Sequence, residues 1–71
     1  MPRFLVSTKR ALRSTAPSAA EAVRSSPGIT VVDERDPHMI TIEAEEDAAA
    51  KLREELEDTH YVEPVTKRKL H

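Results

Sequence analysis

The sequence predicts an α+β domain with the element order β-α-β-β-α-β. Three observations carry that prediction. Four short β-leaning segments occupy residues 3–7, 29–33, 39–43 and 61–65, one long run of helix formers begins at Glu45, and a helix-start signal at residues 17–21 is followed by a Pro-Gly stop. At 71 residues the chain has room for one small, soluble domain, since a chain of this size buries only about 60% of its unfolded surface. It has no cysteine, so neither a disulfide framework, a thiolate metal site nor a thiol nucleophile is open to it.

Each element has its own local cause. Arg3-Phe4-Leu5-Val6-Ser7 is short and apolar, and the polar, basic stretch over residues 8–16 that follows has no apolar period and reads as a loop. Pro17 suits a first helical turn, and Ser18 with Glu21 three residues on forms a capping box ahead of Ala19, Ala22 and Val23. Ser26-Pro27-Gly28 stops that helix, because proline cannot continue it and glycine accepts the left-handed conformation. Ile29-Thr30-Val31-Val32-Asp33 and Met39-Ile40-Thr41-Ile42-Glu43 are β-branched and flank the turn signal Asp36-Pro37-His38, which makes them a hairpin.

The second helix opens on the acids Glu45, Glu46 and Asp47 and carries the apolar stripe Ala48, Ala49, Leu52 and Leu56. Its outward face offers Asp47 with Lys51, Lys51 with Glu55 and Arg53 with Glu57 as i,i+4 pairs. Tyr61-Val62-Glu63-Pro64-Val65 returns to β character, and Pro64 demands an edge position because it cannot donate to a ladder. This order is the ferredoxin-like split βαβ arrangement, a four-stranded antiparallel sheet with both helices on one face. Residues 1–66 form the expected domain and residues 67–71 a basic tail. One sheet face is left bare, and Leu5, Val32 and Met39 belong either to it or to the core. Large apolar side chains on such a face point to a partner surface.

Charge and motifs narrow the function. Residues 1–20 carry four bases and no acid, residues 21–65 carry all 13 acids against four bases, and residues 66–71 add three bases. An acidic body lacks the concentrated positive face of a nucleic-acid binder, and only Phe4 and Tyr61 are available for base stacking. The longest run of large apolar residues is three, so no segment spans a membrane. A targeting presequence is disfavoured, since Phe4-Leu5-Val6 reads as a strand and no cleavage signal follows. The location expected is cytoplasmic.

No enzyme chemistry is legible. There is no G-x-S-x-G elbow, the five serines sit at caps, loops or a strand end, and one glycine cannot build a phosphate loop. His38, His60 and His71 have no partner at motif spacing. Asp33, Glu34, Asp36 and His38 lack the glycine and bidentate glutamate of a calcium loop and read as a charged turn. No catalytic residue, metal or cofactor is therefore expected.

Leu52-Arg53-Glu54-Glu55-Leu56-Glu57-Asp58-Thr59-His60-Tyr61-Val62-Glu63 resembles the helix-to-strand passage of subtilisin-type propeptides. Arg3-Phe4-Leu5-Val6 is similar to that family's opening strand, and Gly28-Ile29-Thr30-Val31 to its glycine-led second strand. The resemblance implies an inhibitor or folding chaperone of a subtilisin-type serine protease, similar to the small stand-alone inhibitors because the chain carries no protease domain. It implies a bare sheet face packed on the protease and a C-terminal tail in the substrate cleft. The protease-binding residues would be Glu63, Arg68, Lys69, Leu70 and His71, with His71 in the primary specificity pocket and Glu63 facing helix N-termini of the protease. Pro64 stands where the family usually has an acidic or polar residue and stiffens the tail's departure. Lys67-Arg68-Lys69 suits a protease with acidic subsites. The alternative is a ferredoxin-like interaction module with no protease target, self-associating through its sheet, as a monomer or weak homodimer, with the tail irrelevant.

Overall fold

The structure, a computed structural model, describes residues 2–24 and 26–65. Its elements are β1 (Arg3–Thr8), α1 (Ala19–Arg24), β2 (Thr30–Asp36), β3 (Met39–Glu43), α2 (Glu46–Glu55) and β4 (His60–Pro64). They form a single four-stranded antiparallel sheet in the order β2-β3-β1-β4, the ferredoxin-like arrangement. The two crossovers each span one intervening strand, which puts α1 and α2 on the same face.

The local signals act as expected at most boundaries. The Ser18 hydroxyl accepts a hydrogen bond from the Glu21 backbone N–H at 3.2 Å, one half of the capping box. After α1 the chain turns at Gly28 with φ +78°, the one positive φ among the described residues. The tight β2–β3 turn is capped by Asp36, whose Oδ1 accepts from the His38 N–H at 3.0 Å.

Several details depart from the sequence-based expectation. The basic segment after β1 is not wholly irregular, since Arg10–Leu12 forms a 3-10 turn. β2 starts one residue later and runs three residues further, through Glu34, Arg35 and Asp36, because pairing with β3 carries the ladder down to Asp36 opposite Met39. An edge strand with two register shifts tolerates these charges, and Asp33 Oδ1 takes the Arg35 N–H at 3.1 Å where the ladder is interrupted. The α2 face forms no ion pair; those found among the described residues are Arg3 with Glu43 and Arg35 with Asp33. Long exposed side chains gain too little in water to hold one geometry.

The core lies between the sheet and the helices. Val6, Ile40, Ile42 and Val62 from the strands meet Ala19, Ala20, Val23 and Leu52 from the helices, with Phe4, Ile29 and Leu56 packed around them. Ile40, Ile42, Leu52 and Val6 are fully buried, each contributing about 1.5–3 kcal/mol. No described helix is long and apolar enough to cross a membrane.

Candidate functional site: an uncovered sheet face beside an edge strand

Side-chain alternation decides what the uncovered face carries. Val6 is in the core, so its neighbours Leu5 and Ser7 point away from the helices, and their register partners share that face. One row across the sheet is therefore Met39, Ser7 and Tyr61, the next is Thr41, Leu5 and Glu63, and a third pairs Glu43 with Arg3. Met39 is 46% exposed and Tyr61 is 52% exposed, while Leu5 is half-buried at the centre. Val32 is exposed next to the β2 irregularity. The three residues left open by the sequence thus fall outside the core.

Polar contacts order this face. Arg3 Nε donates to Glu43 Oε2 at 3.0 Å, and Lys9 Nζ sits 5.2 Å from the centroid of the Tyr61 ring, a cation–π contact that holds the ring's approach. Glu63 is exposed opposite Leu5. The other residues expected to bind a protease, Arg68, Lys69, Leu70 and His71, lie outside the described residues, as does the expected domain boundary at residues 66 and 67.

β4 is an edge strand, and its hydrogen-bonding parity can be assigned. Lys9 N donates to Thr59 O and Val65 N donates to Arg3 O, both at 2.9 Å. In an antiparallel ladder this sets Thr59, Tyr61, Glu63 and Val65 with their backbone groups toward β1, leaving His60, Val62 and Pro64 facing the open edge. The His60 N–H is already given to Leu56 O at 2.8 Å, and Pro64 has no N–H. The free edge thus presents one backbone donor from these three residues, at Val62. Beside it, an open groove of about 590 Å³ runs between β4 and α2, lined by Ala50, Arg53, Glu57 and Val62 among others.

His60 is the residue that sequence reasoning missed. Instead of lying ahead of the expected strand at 61–65, it opens β4 and is only 3% exposed. Its Nε2 donates to Pro17 O at 3.0 Å, since a carbonyl can only accept, and its Nδ1 contacts the Thr59 hydroxyl at 2.7 Å. The ring ties β4 to the segment before α1. The signal available was its period-2 parity with Val62. His38 is half-buried, its Nδ1 at 3.1 Å from the hydroxyl of Thr8. Its turn companions Asp33 and Asp36 spend carboxylate oxygens on backbone N–H groups.

Comparison of the chain with family models, with curated proteins and with solved structures finds no match.

Proposed function

We propose that the protein is a propeptide-like inhibitor, or folding chaperone, of a subtilisin-type serine protease. It would dock through the uncovered sheet face and lay the segment after β4 into the substrate cleft. The observation that carries this reading is the join between face and tail. Leu5, Met39 and Tyr61 lie on one face, and the chain leaves that same sheet at the end of an edge strand, next to Glu63.

Size supports a two-part contact. Four strands at about 4.8 Å spacing and five residues at about 3.3 Å rise make a flat footprint of about 320 Å². Even doubled by side-chain relief, this stays below the roughly 800 Å² per partner of a stable interface. An extended tail supplies the remainder, adding main-chain hydrogen bonds at the cleft edge and side chains to subsites. Arg68, Lys69, Leu70 and His71 would fill those subsites, and Lys67-Arg68-Lys69 favours a protease with acidic ones. Inhibition on this reading is substrate-like occupancy with slow hydrolysis, so the chain supplies no catalytic group of its own.

The test is an inhibition assay against several purified subtilases, one of them specific for basic residues. The expected result is inhibition at micromolar concentration or below, lost when the chain is cut after Val65. No slowing of any protease refutes the proposal. Association that persists without residues 66–71 supports the self-associating module instead.

A further inference from the structure

We propose that the open edge of β4, with the groove between it and α2, is a docking site for an extended segment of another protein, basic at its leading end, which adds to the sheet as a further strand. The inference concerns the edge of the sheet and does not rest on the inhibitor reading. The backbone defines the site. His60, Val62 and Pro64 turn their carbonyls outward, and no backbone N–H among the described residues is bonded to them. A strand laid antiparallel with one residue opposite Val62 exchanges both bonds with it and gives two more N–H groups, to His60 O and Pro64 O. The newcomer thus donates three bonds and accepts one.

A second copy of this chain meets that pattern poorly. Two β4 strands paired about Val62 set His60 opposite Pro64, where one N–H is already given to Leu56 O and the other does not exist. Only the two bonds between the Val62 residues remain, so a donor-complete strand from another protein fits better. The groove gives its inward side chains somewhere to go. The space of about 590 Å³ continues toward Pro64 in a further 250 Å³, and the two share Ala50, Arg53 and Val62. Ala50 and Val62 make the shared part apolar, which suits a β-branched side chain opposite Val62.

Charge then selects the leading residues of the occupant. Glu46 lines the Pro64 end of the groove, and Glu63 is exposed on the strand beside it. Neither takes part in the ion pairs found among the described residues, and Arg53 is the one base among the described residues lining that end. An antiparallel newcomer places its first residue over Glu46 and its second opposite Glu63, with about 4.5–5.5 Å between facing Cβ atoms. Lysine or arginine at those two positions, followed by a β-branched residue, is the pattern that this edge complements.

The experiment titrates the ¹⁵N-labelled full-length chain with an acetylated Lys-Lys-Val-Thr-Val amide and follows the backbone amide shifts. A five-residue strand binds weakly, so the titration runs to about 5 mM. The Val62 amide proton is expected to move downfield as it gains a bond, with smaller shifts at His60, Ala50 and Arg53 and unchanged β2 amides. N-methylation of the peptide's central valine removes an N–H that faces β4 and should abolish these shifts. N-methylation of its threonine, whose N–H faces away, should retain them. Glutamate in place of both lysines should weaken binding about tenfold. No shift at Val62 by the end of the titration, equal effects of the two N-methyl groups, or equal binding of the acidic and basic peptides overturns the proposal. A Val62 amide that moves when the chain alone is diluted assigns the edge to a second copy and overturns it as well.

Discussion

Replacing His60 by alanine should remove a large part of the stability of this domain, although its one mark in the sequence is a period-2 parity with Val62. The ring is 3% exposed and bridges Pro17 O and the Thr59 hydroxyl at 3.0 and 2.7 Å. Alanine gives up both part-buried bonds, at about 0.5–1.5 kcal/mol each, and opens a void on the helix side of β4. A total near 3 kcal/mol follows. A chain of this length holds about 4–10 kcal/mol in all, so the variant folds but weakly. Urea unfolding followed by circular dichroism measures the change. With a slope of about 1 kcal/mol per molar urea, the midpoint should fall by about 3 M. His60→Gln, which can still donate to Pro17 O, should recover part of the loss. A shift of less than about 0.5 kcal/mol for the alanine variant, the range of ordinary surface changes, would refute the reasoning.

Gly28→Ala should cost about 1–2 kcal/mol because φ is +78°; the added Cβ would meet Ala48 Cβ at an unstrained 3.6 Å, so an unchanged urea midpoint would contradict the backbone argument. Ser18→Ala should lower stability by about 1 kcal/mol through loss of its bond to the Glu21 N–H, read as a drop in thermal midpoint that Ser18→Asp restores. Tyr61→Ala should weaken protease inhibition about tenfold or more if the uncovered face is the docking surface. Its thermal midpoint should move little, since the ring is half exposed; unaltered inhibition would remove the face from the interface.

Much of the architecture was readable because its signals are local. The Ser18 cap, the Pro27-Gly28 stop and the hairpin turn at Asp36 act within a few residues, and each works in the structure as its position implies. Pro64 announced an edge strand, and β4 is one. The extent of β2 was not readable, because Glu34 and Arg35 have no strand preference and enter the sheet only by pairing with β3. The i,i+4 charges of α2 illustrate the reverse case, a pattern in sequence that is not among the ion pairs of the described residues.

The candidate site divides in the same way. Composition placed acids in the body and bases at the ends, and the resemblance directed attention to Glu63 and residues 68–71, but neither could say which way a strand residue faces. Alternation gives only two opposed sets. The helices covering one face then decided that Val6, Ile40 and Ile42 are core and that Leu5, Met39 and Tyr61 are not.

What the sequence by itself determined is the order of elements and their ends, since turn, cap and propensity act over short separations. Only the tertiary structure decided the burial of His60, the exposure of Met39 and Tyr61, and the outward nitrogen of Pro64. These depend on which strand lies alongside and which face the helices cover, contacts made between residues far apart in the chain.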